Sequence, residues 1–404
     1  MTASPRLPTR VGSRLWIVTL AAMTAVVALS IDTSLPAQPT FARVFHVSDD
    51  TAQLTLSLFV AAFAAAQLVT GYVSDAWGRR RVLLVGLALF TAASIACAAA
   101  PTIEVLLVCR VLAGISAAGP PVVSRAMVRD TQPASEAARL LSAMLAVLAI
   151  GPMLAPTIGG TLLDLFGWRA IFGVLAGLGA VLFVIAQLTL VETLPAVRHR
   201  RPSARGLVAA YKKFLTTPGT RLPLLIGCAS FAGQFAYISD SPFVLMDGYH
   251  VSGRAYGIYF GSTALALMIG SIGGGRMIRA GRSPRGMVMF GTTLLALGGI
   301  AVAAATHFTS LGIAGFLPPM LVYFLGIGMT SPSSTAIAME PVPEIAGTAS
   351  AAVGFAAMAS GAVSGFLTTK LGGASPRGFS LVVATMGLVA FGLALVVNRR
   401  PSRA

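Results

Sequence analysis

Apolar runs of about 20 residues, the length a helix needs to cross about 30 Å of hydrocarbon, recur along this chain with short polar breaks between them. Six precede a basic middle segment, at 15–36, 52–73, 82–100, 103–123, 140–163 and 170–191. Six follow it, at 222–245, 256–277, 286–305, 311–335, 347–368 and 378–397. The pattern predicts an all-α integral membrane protein of twelve transmembrane helices. Residues 192–221 form the longest polar connection and divide the chain near its midpoint. Residues 1–191 therefore read as an N-terminal six-helix bundle, 192–221 as a basic linker and 222–404 as a C-terminal six-helix bundle. The first run follows Arg6, Arg10 and Arg14, as the core of a signal peptide would. It is over-long, however, contains Asp32 and leads into a second apolar span, so it is expected to remain as the first helix.

Charge distribution adds an orientation. Of the 29 Lys and Arg residues, 23 fall in the termini and the even-numbered loops, five in the odd-numbered loops, and one, Arg110, inside a span. By the positive-inside rule both termini are cytoplasmic, in the inner membrane of a bacterial-type cell. This accounts for the net charge of +16 without nucleic acid, for which a continuous basic face with interleaved aromatics would be needed. Charged residues make up only 10% of the chain, against about a quarter in a soluble domain. Cys97, Cys109 and Cys228 lie singly in apolar runs, and His46, His199, His250 and His307 are scattered through connections. Neither set has metal-ligand spacing, so no metal is expected.

Ionisable side chains within spans are costly and mark function by default, and here they are Asp32, Arg110 and Asp240. Asp32 lies about four residues before the outer end of the first span and Arg110 about seven residues into the fourth. At 1.5 Å per residue these depths are about 6 Å and about 10 Å, so the two share a level. Asp32 is a candidate functional carboxyl, which the resemblance described below makes the expected acceptor of proton and substrate; alternatively it bonds Thr33, Ser34 or a backbone group at a helix end. Arg110 cannot titrate, so it acts electrostatically or as a clamp between helices. Asp240 precedes Pro242, which leaves the local helix direction open. Facing an interior it would be a second proton site or favour cationic solutes; at the outer interface it would simply be solvated. Tyr237, one turn earlier, is a candidate substrate contact. Phe59, Phe63 and Gln67 share a helix face and read as packing.

Gly71, Gly78 and Arg79, in the loop after the second span, recur 203 residues later as Gly274, Gly281 and Arg282. Paired halves with a site between them are a recurring transporter design. The run from Gly71 through Asp75 and Gly78 to Arg79 and Arg80 resembles the loop signature of the major facilitator superfamily, Gly-x-x-x-Asp-x-x-Gly-Arg-Arg/Lys. Three further stretches are similar to the bicyclomycin-resistance and chloramphenicol-efflux branch of its drug:proton antiporters. They are the run Ser30 to Pro36 around Asp32, Arg110 with Gly114, and Gly151, Pro152, Pro156, Gly159 and Gly160 in the fifth span; the run Ala346 to Ser350 is similar as well. Two departures stand out: Ala76 replaces an Arg common after the loop Asp, and Ala155 replaces the first Gly of the usual Gly-Pro pair.

The resemblance implies two pseudo-symmetric six-helix bundles with a cavity lined by the first and fourth helices, where Asp32 and Arg110 interact directly or through water. It implies that Gly71, Asp75, Gly78, Arg79 and Arg80 latch the halves in one of two alternating states. Gly151, Pro152, Pro156, Gly159 and Gly160 would serve helix bending and packing, as would Pro120, Pro121 and the run Gly273 to Gly275. The expected activity is proton-coupled efflux of amphipathic drugs by a monomer in the lipid bilayer. The proton gradient supplies the energy, no cofactor is needed, and no phosphate-binding Gly-rich Lys-Ser/Thr loop suggests ATP. A dedicated exporter of a metabolite such as a sugar or amino acid is the alternative. An enzyme or sensor would need a catalytic dyad or a soluble domain, and the short loops hold neither.

Overall fold

The structure, a computed structural model, describes residues 13–194, 204–307, 311–372 and 376–399. Fifteen α-helices appear among them: α1 Arg14–Asp32, α2 Gln38–Phe45, α3 Asp49–Trp77, α4 Arg79–Ala99, α5 Ile103–Ala117, α6 Gly119–Thr131, α7 Ala134–Phe166, α8 Trp168–Thr189, α9 Ala204–Thr216, α10 Arg221–Pro242, α11 Gly253–Arg279, α12 Pro284–His307, α13 Gly312–Met339, α14 Ala346–Gly372 and α15 Pro376–Arg399. Ten stretches, some joining two helices, are long and apolar enough to cross a membrane. The fifth and eleventh expected spans coincide with α7, 33 residues long, and α14, 27 residues long.

Local chemistry sets where the helices start and break. The hydroxyls of Ser13, Thr102 and Ser252 accept from backbone N–H groups in the first turns of α1, α5 and α11, replacing partners that a helix start lacks. Three expected spans are interrupted. The first ends its α-helix at Asp32, passes through a 3-10 turn at Leu35–Ala37 and resumes as α2. The fourth breaks between α5 and α6, where Pro120 and Pro121 withhold two backbone donors. The seventh ends at Pro242 and continues as one π-helical stretch, Phe243–Gly248. By contrast α7 runs unbroken through Pro152 and Pro156.

The linker is not wholly irregular. Its described part holds α9, whose Phe214 is fully buried among Leu224, Ala338, Val342, Ala349 and Ala352 while Lys212 and Lys213 face out. An aromatic ring anchors this short basic helix against α10, α13 and α14.

The chain forms two compact units, Met1–Ser34 with Leu58–Ser203, and Leu35–Ser57 with Ala204–Ala404. The second span is thus shared, because the first turns of α3 pack with the second unit. In both units glycines let helix backbones meet, the usual means of association where lipid removes any hydrophobic drive between helices. A Cβ on Gly114 of α5 would overlap the backbone of α3 at Phe59, and one on Gly159 of α7 would overlap the carbonyl of Thr33. In the second unit Gly270 of α11 backs onto Leu325 of α13, and Gly328 of α13 onto Leu267 of α11. Outward faces stay apolar: Val174, Val181, Val184 and Leu188 form one exposed stripe along α8, as expected of a helix bathed in lipid.

Candidate functional site

Arg110 is 2% exposed, and its seat is built from four helices of the first unit. Its guanidinium lies 4.2 Å from the ring centroid of Phe59 on α3 and 5.8 Å from that of Phe172 on α8. Stacking suits a planar, weakly hydrated cation. One nitrogen donates to Ser30 Oγ at 3.4 Å and another to Ser34 Oγ at 3.5 Å. Ser34 can accept because its own proton is used within α1, on the carbonyls of Ser30 at 3.1 Å and Ile31 at 2.9 Å. Gly114, one turn beyond Arg110, presses α5 against the Phe59 backbone, and this fixes the ring below the guanidinium.

Asp32 is buried at the end of α1, between the two serines in sequence. Arg110 meets this helix end at the hydroxyls of Ser30 and Ser34, and helix geometry accounts for that. Ser30 and Ser34 share one helix face, whereas a residue two positions away points to nearly the opposite side. Matching depth brought Arg110 to the end of α1 but onto its serine face. Gly159 places α7 directly against Thr33, next to Asp32, and Gly151 sits against Ala28 one turn below. Three motif stretches therefore converge on one helix end.

Asp240 is fully buried in the second unit rather than solvated. Its Oδ1 accepts from Gln53 Nε2 of α3 at 2.8 Å; Thr368 Oγ1 of α14 lies 3.4 Å from the same oxygen but closer, at 2.9 Å, to the carbonyl of Gly365, which takes its proton. Among the described residues Oδ2 is buried with no hydrogen-bond partner. Tyr237 is enclosed by rings, stacked on Phe260 at 5.4 Å and edge-on to Phe324 at 5.0 Å.

The Gly71–Arg80 stretch is a charge cluster whose contacts lie within the first unit. Arg79 Nη1 pairs with Asp75 Oδ1 at 2.5 Å, its Nε with Asp130 Oδ2 of α6 at 3.0 Å, and Nη1 also donates to Ser74 Oγ at 2.6 Å. Gly78 has φ +95, a conformation side chains rarely adopt, and Glu192 fills the space where a Cβ would stand. That carboxylate accepts from the N–H groups of Arg79 at 3.0 Å and Arg80 at 3.1 Å, capping α4. In return Arg80 donates to the last carbonyls of α8, Leu190 at 2.7 Å and Gln187 at 2.8 Å. Each helix terminus meets the charge that complements its dipole.

Residues 20–365 match the family described as Major Facilitator Superfamily. The chain belongs to the major facilitator superfamily. It is a multi-pass membrane transporter and not an enzyme. The uncharacterized MFS-type transporter YdgK of Bacillus subtilis is 34% identical over 391 residues, covering 94% of this chain and 95% of the relative. The bicyclomycin resistance protein homolog of Haemophilus influenzae is 26% identical over 382 residues, covering 91% and 92%. Relatives so named agree with the branch that the motifs resemble. The crystal structure of a D-xylose-proton symporter superposes with a TM-score of 0.72 at 17% identity, covering 96% of this chain and 98% of that one, and shows the shared fold.

Within this major facilitator protein, sequence reasoning missed five participants, one of them only in part. Phe59 was read as packing yet carries the Arg110 guanidinium. Ser30 and Ser34 were seen only as neighbours of Asp32. Gln53 lies 187 positions from Asp240, and no local pattern links them. Glu192 was readable in part, because a chain with only 13 acidic residues places one at the exit of its sixth span.

Proposed function

We propose that this transporter exports small, partly apolar compounds, drugs among them, in exchange for protons, by alternating access across a bacterial inner membrane with both termini cytoplasmic. The observation that carries the reading is a buried carboxyl, Asp32, on a helix end that a permanently charged Arg110 grips through Ser30 and Ser34. Desolvation favours a neutral carboxyl and nearby positive charge an ionised one, so a small shift of that helix end changes the balance and loads or releases a proton. Arg110 stays charged throughout; its pull on α1 is constant, and Asp32 is the member whose charge alternates. Gly159 and Gly151 let α7 follow the same helix end, so a change at Asp32 reaches a second span. The relative named for bicyclomycin resistance supports an exported drug as substrate. A membrane potential supplies about 2.3 kcal/mol per charge per 100 mV, nearly fiftyfold in concentration, so one proton per cycle sustains useful efflux.

Everted vesicles carrying the protein, energised with a proton gradient, test this reading. Chloramphenicol-like and cationic compounds should release protons from wild-type vesicles and not from Asp32→Asn vesicles. Release that persists in Asp32→Asn removes Asp32 from the coupling. Silence of the wild type toward every drug, with a response to sugars or amino acids, replaces drug efflux by metabolite export.

A further inference from the structure

The turn between α11 and α12 is the second-unit copy of the Gly71–Arg80 stretch, and its charges differ. At the same spacing of 203, Ile278 stands for Asp75, while Arg276 and Arg279 stand for Val73 and Ala76. The copy has lost its acid and gained two arginines beside Arg282. All three arginines are exposed. Among the described residues none of them has an ion-pair partner, although Glu340 caps the end of α13, which packs against α11. The backbone of the turn is tied down: the N–H groups of Gly281 and Arg282 donate to the carbonyls of Ile278 and Met277 at 3.0 Å, and Ser283 Oγ accepts from the N–H of Gly286 at 3.1 Å. What is left without a complement is positive charge.

Position on the helix says what would complement it. Ile258, Leu265, Ile269 and Ile272 are the exposed large apolar side chains of α11, and their spacings put them on one stripe. Arg276 and Arg279 continue that stripe, four and seven residues beyond Ile272. Both α11 and α12 are long and apolar enough to cross a membrane, and only residues 280–283 separate them. The stripe therefore faces hydrocarbon, and the two guanidiniums sit where hydrocarbon gives way to headgroups. Arg279 folds back along α11, its Nη1 lying 3.9 Å from the position of a Cβ on Gly275, the residue before Arg276. Topology alone requires basic residues in this turn; it does not require them in line with the lipid-facing stripe. Arginine's planar fork matches a phosphate. A phospholipid offers, in one molecule, acyl chains for the stripe and an anion for the fork. Phosphatidylglycerol suits unpaired arginines better than phosphatidylcholine, whose phosphate carries its own cation.

We infer that α11 carries a binding site for an anionic phospholipid: Arg276 and Arg279 hold the phosphate, Arg282 adds charge from the turn, and an acyl chain lies along Ile272, Ile269 and Leu265. The cytoplasmic leaflet follows from the orientation proposed above. The site itself depends neither on that orientation nor on the exported compound.

Native mass spectrometry of the detergent-solubilised protein tests it, with phosphatidylglycerol and phosphatidylcholine of identical chains as the probes. Wild type should bind phosphatidylglycerol more tightly. Joint replacement Arg276→Gln and Arg279→Gln should weaken that binding about thirtyfold, about fivefold for each arginine. Joint replacement Lys212→Gln and Lys213→Gln, which removes the same charge from α9, should keep the preference. Millimolar inorganic phosphate should not displace the lipid. Equal binding of the two lipids by wild type, or a preference that survives loss of Arg276 and Arg279, overturns the proposal. So does a preference lost equally with Lys212 and Lys213, which would mark bulk charge, or displacement by inorganic phosphate, which would mark a free-anion site. If the double arginine variant fails to fold, the two single variants decide: a loss of about fivefold is expected in each, and unchanged binding in both is fatal. Failure of the vesicle assay would leave this result unaffected.

Discussion

Arg110 and Asp240 are both charge-bearing side chains buried in lipid-spanning helices, and the two units seat them differently. Arg110 spreads its charge over a plane, rests on the faces of Phe59 and Phe172 and donates to two serines. Asp240 concentrates its charge on two oxygens, of which one is served by the Gln53 amide and the other, among the described residues, has no hydrogen-bond partner. A guanidinium is weakly hydrated and tolerates aromatic surroundings; a carboxylate replaces lost water only with donors. The seat in the first unit suits a permanent charge. The one in the second leaves a carboxylate short of donors.

Four substitutions break or sharpen that contrast. The largest effect is expected for Gly114→Val, which drives a side chain into the α3 backbone beneath Phe59 and collapses the Arg110 seat. It should lower stability by about 3 kcal/mol, near the top of the overpacking range, read as the thermal unfolding midpoint in detergent, and abolish transport. Next comes Asp240→Ala, which leaves the Gln53 amide buried without its acceptor at Oδ1, while the Thr368 hydroxyl keeps the carbonyl of Gly365. A loss of about 2 kcal/mol is expected, with Asp240→Asn losing less because an amide oxygen can still accept. Phe59→Leu keeps the volume apolar but removes the ring under the cation, and should weaken the seat by about 1 kcal/mol; a double-mutant cycle with Arg110→Met isolates the term. The smallest effect is expected for Glu192→Gln at the exposed clamp, about 0.5 kcal/mol, diminished further by salt. Should Glu192→Gln prove as damaging as Gly114→Val, burial would not be what separates these charges.

The fold was legible in the sequence because lipid imposes one dominant rule: a spanning helix must be long and apolar. The buried charges stood out for the same reason. Asp32, Arg110 and Asp240 interrupt runs that contain almost nothing else charged. Their partners were less legible. Depth along a helix follows from counting residues, but the direction a side chain takes at a helix end depends on where the helix stops. That is why Arg110 was placed at the level of Asp32 and not assigned to Ser30 and Ser34. The helix breaks at Asp32 and Pro242 likewise depend on tertiary packing as much as on composition. The repeat of Gly78 at Gly281 proved conformational, with φ +95 and +90. The charges around it were not copied: Glu192, Asp75 and Asp130 bind the first loop, and a Cβ on Gly281 would meet nothing within 4 Å.

The clamp at Glu192 also bears on how the protein is made. Its carboxylate bonds the start of α4 across 113 positions of sequence, and domains emerge from the ribosome N-terminal end first. Until translation has passed the sixth span, the amides of Arg79 and Arg80 have no Glu192 to bind, and the carbonyls of Gln187 and Leu190 have not yet reached Arg80. A nascent chain arrested before Glu192 would hold five or six inserted helices that lack their final fastening. The closing act of assembling the first half therefore belongs to the last residues of that half to be synthesised.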